Sequence, residues 1–162
     1  MHGRNTSTID KIIQEEKFMY LKGINFKSLV VAGFVAGWMM YIVDYWFGGM
    51  LGLFGLFPGT SNWGWMVKHE IESIIFTIPF AWPFIYNKLP GGGWLKGIIY
   101  GFLWWLIFLL IIGWIAGALG AKPFQQMAPT TFAIFISDIL LHIIWGFFLG
   151  ILYIPEKETA EA

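Results

Sequence analysis

Residues 46–52 read WFGGMLG, and residues 114–120 read WIAGALG. The two stretches lie 68 positions apart, and the same offset lays Gly33-Phe34 on Gly101-Phe102 without a gap. Five further residues in the second connection then bring His69 onto His142, Ser73 onto Gly146, Thr77 onto Gly150 and Phe80 onto Tyr153. The repeated unit is a pair of helices. The first helices of the two copies run in the same direction, so the copies are related by a pseudo-twofold axis along the membrane normal. This differs from the inverted repeat common in transporters.

The medium in which such helices sit follows from composition. The chain has 162 residues, of which 57% are apolar, 20% aromatic and 12% charged. A soluble domain carries about 45–50% apolar and about 25% charged residues. Mean hydropathy is +0.67. Ten basic residues cancel ten acidic ones, which excludes a charge-driven nucleic-acid binder. The absence of cysteine excludes disulfides, thiolate metal sites and cysteine nucleophiles.

A helix needs about 20 mostly apolar residues to cross a bilayer. Four stretches qualify: 28–47, 65–86, 94–119 and 131–154. The predicted fold is all-α, a polytopic four-helix membrane bundle built as a tandem two-helix repeat. Arg4, Lys11, Lys17, Lys22, Lys27, Lys88, Lys96 and Lys157 fall on one side, against Lys68 and Lys122 on the other. The positive-inside bias places both termini in the cytoplasm. Residues 1–27 are expected to form an amphipathic interfacial segment, with Ser7 or Thr8 as cap and Gly23 as stop. No cleavable signal peptide is expected there. Residues 28–154 make the membrane domain and 155–162 a short polar tail.

Within this frame, the aromatics near span ends read as interfacial anchors, and mid-span Trp104 and Trp105 as lipid contacts. The apolar loop 48–64 is expected to dip into the interface or to dock on another subunit. Pro79 and Pro83 are expected to kink the second span. Gly91-Gly92-Gly93 after Pro90 reads as a turn. The second helix of each copy carries a histidine followed by small residues four and eight positions on. Small residues at this spacing let helices approach closely. The second and fourth helices are therefore expected to pack through Ser73, Thr77, Gly146 and Gly150, with His69 and His142 close together.

Ionisable groups inside spans face a bundle interior or a cavity. Here they are Asp44, His69, Glu70, Glu72, Asp138 and His142, all in the outer half or near the middle. Three readings stay open. The groups pair with one another and hold the bundle together. Alternatively, His69 and His142 are axial ligands of a haem b or a chlorophyll. In the third, His69, Glu72, Asp138 and His142 bind a divalent metal. Proton handling by the same acids is a further option. His69-Glu70 lacks a second histidine four residues on, so the zinc-protease helix motif fails.

The residues His69, Leu89-Pro90-Gly91, Trp94-Leu95-Lys96-Gly97, Tyr100-Gly101, His142 to Gly146 and Gly150 to Tyr153 resemble a family of small four-helix bacterial inner-membrane proteins without assigned function. The resemblance covers about residues 65–154. It implies four spans with a histidine at positions 69 and 142, and it supplies neither a reaction nor a ligand. Glu70, Glu72 and Asp138 go beyond the family pattern. The functional expectation is a non-catalytic accessory or scaffold subunit of a larger membrane complex, respiratory or photosynthetic. Its partners would be the lipid bilayer and other membrane subunits or further copies of itself. A haem- or pigment-binding subunit and a metal or proton carrier are the alternatives.

Overall fold

The computed structural model describes residues 23–51, 55–57, 62–120 and 131–156. Helix is the only regular structure among them. In chain order the elements are α1 (Phe26–Leu51), α2 (Trp63–Ala81), the single turn α3 (Pro83–Tyr86), α4 (Gly93–Trp104), a π-helical stretch (Trp105–Gly113), α5 (Trp114–Ala118) and α6 (Phe132–Leu152). The expected interfacial helix before Gly23, the loop around Lys122 and the tail from Lys157 lie outside the described residues. Gly23 itself has φ of +89°, the backbone state of a helix-ending glycine.

The all-α expectation is met. Two of the four expected spans, 26–47 in α1 and the whole of α6, are long and apolar enough by length and composition to cross a bilayer. Helix α2 carries Lys68, Glu70 and Glu72 along its outer turns. The third expected span is a continuous helical path from Gly93 to Ala118 whose middle is wound as a π-helix.

Each start signal is local. Asn25 Oδ1 accepts from Ser28 N at 3.1 Å, Asn62 Oδ1 from Trp65 N at 3.1 Å and Thr131 Oγ1 from Ile134 N at 3.2 Å. Each bond satisfies one of the donors that a helix N-terminus leaves free. The kink expected from Pro79 and Pro83 is instead a break. Trp82, forced out of helical geometry by the proline that follows it, sits extended at φ −67°, ψ 123°. Pro83 then opens α3 at a position where its missing N–H costs nothing. Gly91, at φ +83°, turns the chain toward α4.

Packing departs from expectation in one respect. The small-residue stripes of α2 and α6 do not face each other; each faces the preceding long helix of its own pair. A Cβ on Gly33 would lie 2.8 Å from Thr77 Oγ1 and 2.9 Å from the Ile74 Cα. A Cβ on Gly97 would meet the Gly146 carbonyl and come within 2.7 Å of the Gly150 Cα. The reason is that a small-residue stripe says which face approaches a neighbour and leaves open which neighbour it is. The equivalence Gly33 to Gly101 and Ser73 to Gly146 survives, because both pairs form the same intra-pair contact. The two pairs then join mainly through α1 against α6.

Helix α2 reaches α4 and α6 by side-chain tips. Trp145 Nε1 donates to Ser73 Oγ at 2.8 Å, Tyr100 Oη to the Phe76 carbonyl at 2.6 Å and Tyr153 Oη to the Ala81 carbonyl at 3.2 Å. Between them Phe80 is fully buried, its ring 5.1–5.7 Å from those of Tyr86, Tyr100 and Tyr153.

Helix α2 buries polar Glu70, Ser73 and Thr77 together with Met66 and Phe80, while Val67, Ile71 and Ile75 are 56%, 52% and 50% exposed. Helix α1 buries Leu29, Ala32, Ala36, Met40 and Asp44 and exposes Val30, Val31 and Phe34.

Candidate functional site

The ionisable groups gather at the end of the bundle where α1 meets α2. Asp44 is completely buried. Its Oδ1 accepts from Gly55 N and Leu56 N at 2.9 Å, and its Oδ2 from Phe57 N at 2.8 Å. Three charge-assisted bonds thus hold the returning loop. At residues 55–57 the loop packs on its own chain, the Phe57 ring lying 4.9 Å from Trp65 and 5.0 Å from His69. Asp44 thus serves the loop through these bonds and also lies within electrostatic reach of His69.

His69 stacks on Trp65, with centroids 4.9 Å apart and planes 8° from parallel. Its Nε2 faces the Gly37 carbonyl at 3.4 Å. A carbonyl only accepts, so Nε2 carries the proton in that contact. His142 is held within α6. Its Nδ1 donates to the Asp138 carbonyl at 2.8 Å and lies 3.5 Å from the Asp138 carboxylate. The other carboxylate oxygen accepts from Trp105 Nε1 at 2.8 Å. Trp105 is consequently a buried, bonded residue and not the lipid contact expected of it, because a buried indole N–H seeks an acceptor. Trp104 packs on Phe76 and Phe108, at 4.9 and 4.2 Å.

Both imidazoles occupy the same half of the bundle and lie within electrostatic reach of each other. They share neither a hydrogen bond nor a ring contact among the described residues, and each is committed to its own surroundings. A macrocycle clamped between them does not fit this arrangement, since His69 turns its Nε2 to Gly37 and one ring face to Trp65. His142 alone presents the orientation typical of a ligand, with Nδ1–H fixed by a carbonyl and Nε2 free of a described partner.

The four-ligand metal set is a correction. Among the described residues no group of three or more His, Asp or Glu side chains is placed to hold a metal ion. Glu72, 43% exposed, turns outward to Lys68 at 3.5 Å, while Asp138 is taken by Trp105. Sharing a helical face with His69 places Glu72 in the neighbourhood but does not aim it.

Spacing arguments missed Ser73 as a hydrogen-bond hub and Trp145 as its donor, whereas Glu70, expected to face the interior, is the buried acid of α2. Ser73 Oγ donates to the Gly33 carbonyl at 2.6 Å while accepting from Trp145. Glu70 Oε2 is sealed from solvent without a hydrogen-bond partner. The available signal was register: Glu70 and Ser73 lie three apart, on the side of α2 opposite the Val67-Ile71-Ile75 stripe. Comparisons with protein-family models, curated proteins and solved structures gave no match, so the functional reading rests on the geometry.

Proposed function

We propose that this chain is an integral protein of a bacterial inner membrane, a four-span bundle with both termini cytoplasmic, acting as a non-catalytic accessory or scaffold subunit. It belongs, on this reading, with the small four-helix membrane proteins that its histidine and glycine motifs resemble. The observation that carries the proposal is the exposed apolar stripe Val67, Ile71 and Ile75 of α2, on a helix that buries Glu70, Ser73 and Thr77. Soluble monomers rarely expose contiguous apolar surface beyond a few hundred Å², and in a bilayer polar side chains turn to the bundle interior. The path from Gly93 to Ala118 supports a further crossing, at roughly 35–40 Å if wound at α-helical rise. Support for a scaffold role comes from the site itself, where Asp44, Glu72, Asp138, Ser73 and both histidines are engaged with the protein's own groups. The tetrapyrrole alternative retains His142 as its one oriented ligand.

The chain contains no cysteine, so single cysteines report cleanly. Ile71→Cys and Ile75→Cys in native membranes should resist a water-soluble maleimide and react after detergent unfolding, whereas Asn87→Cys should react only when the cytoplasmic side is opened. The purified protein should be colourless and should retain partner subunits in mild detergent. Rapid labelling at 71 and 75 in intact membranes defeats the membrane reading; a Soret band abolished by His142→Ala defeats the scaffold reading.

A further inference from the structure

Among the described residues Glu70 is a buried acid that no cation pairs with. It is only 9% exposed, and Oε2 accepts no hydrogen bond. The carboxyl lies over Gly37 of α1: a Cβ built there would sit 2.7 Å from Glu70 Oε2 and 2.9 Å from Ser73 Oγ. The missing side chain of Gly37 is the space that the acid occupies.

The charged and titratable groups around it are otherwise engaged. On α2, Lys68 reaches Glu72 and His69 faces the Gly37 carbonyl. On α1, Asp44 is consumed by three loop amides, and the buried Tyr41 hydroxyl has no hydrogen-bond partner. On α6, Asp138 and His142 hold each other, with Trp105 as third member. On α4, Tyr100 donates to Phe76, and Lys96 caps the Tyr86 carbonyl at 2.8 Å. With Oε2 shut off from solvent and no cation beside the carboxyl among the described residues, the neutral acid is favoured over the ionised form. Yet Lys68, two residues away, is exposed, so the aqueous phase on that side is near.

We propose that Glu70 is a proton-binding site, a neutral carboxylic acid wedged on Gly37 that releases its proton to, and recovers it from, the aqueous phase beyond Lys68. The exchange is a plain acid dissociation: the O–H bond breaks, the electron pair stays on the carboxylate and the proton passes to water. It needs no further reactant. This goes beyond the scaffold reading, and its test does not depend on whether partner subunits are present.

The test uses the full-length protein in lipid nanodiscs and dicyclohexylcarbodiimide, an apolar reagent that adds to protonated carboxyls in membranes. Glu70 should gain the mass of one whole reagent molecule, located by peptide mapping, while Glu72 and Asp138 stay unmodified. The rate should fall about tenfold per pH unit once the acid is titrated. In parallel, the infrared spectrum should contain a protonated-carboxyl band that disappears in Glu70→Gln and persists in Glu72→Gln. The wild-type adduct needs no variant, and glutamine is close in shape to the neutral acid, so folding is not the variable read. Modification at Glu72 in place of Glu70, a rate independent of pH, or a band that survives Glu70→Gln overturns the assignment. Protection by added sodium at constant pH overturns it as well, in favour of a metal cation at the same carboxyl.

Discussion

At Ser73 one hydroxyl ties three helices, donating to Gly33 on α1 and accepting from Trp145 on α6. Ser73→Ala leaves the buried Trp145 indole N–H without its acceptor, and the Gly33 carbonyl loses its bond as well. A buried donor left unpaired costs about 1–3 kcal/mol. The variant should unfold at correspondingly lower denaturant in mixed micelles, followed by tryptophan emission. Ser73→Thr, which keeps the hydroxyl, should be impaired through crowding against Gly33 and Gly37, with the Trp145 bond retained. At this scale the sequence was only partly legible. That polar residues at membrane depth turn inward was readable for Glu70, Ser73 and Asp138. Their partners were not, because Asp44 bonds to backbone amides and His69 to a backbone carbonyl. Every residue carries these groups, so no pattern of side chains announces them.

Helices α4 and α6 touch backbone to backbone, through Gly93, Gly97 and Gly101 against Gly146 and Gly150. Gly97→Ala places a methyl against the Gly146 carbonyl, where no rotamer offers escape, and should cost about 1–3 kcal/mol or more. Gly64→Ala, with only Asn62 Oδ1 at 3.9 Å, is the matched control and should leave thermal unfolding in detergent unchanged. Helix existence was well marked in the sequence by apolar runs, whereas the caps Asn25, Asn62 and Thr131 were read only from the structure. The π-helical winding of Trp105–Gly113 was not, since a run of large apolar residues specifies neither the α nor the π hydrogen-bond register. The separation of α2 from α3 was half legible: Pro83 was visible, but whether a proline bends or ends a helix depends on the packing of Phe80 and Tyr86 around it.

On the scale of the whole molecule, the duplication predicts a modular assembly. Each helix pair forms its own close seam, and the two pairs meet through α1 and α6 and through a few side-chain bonds from α2. A chain divided at the exposed Gly91-Gly92 turn should therefore reassemble when its halves are co-expressed. Co-purification of an untagged half with a tagged one, followed by recovery of the wild-type tryptophan spectrum, checks this; halves that accumulate separately refute it. The all-α class was legible from the apolar runs, whereas the pairing of the small-residue stripes was not, because a stripe carries no label for its neighbour. One local feature also sets how the molecule behaves toward its surroundings. Among the described residues the Asp44 carboxyl is held by three peptide N–H groups and by no cation, beneath a cover of aromatic rings. Dissolved ions have little to screen at this latch, although they loosen the exposed pair of Lys68 and Glu72. The returning loop thus stays fastened in fresh water and in brine alike.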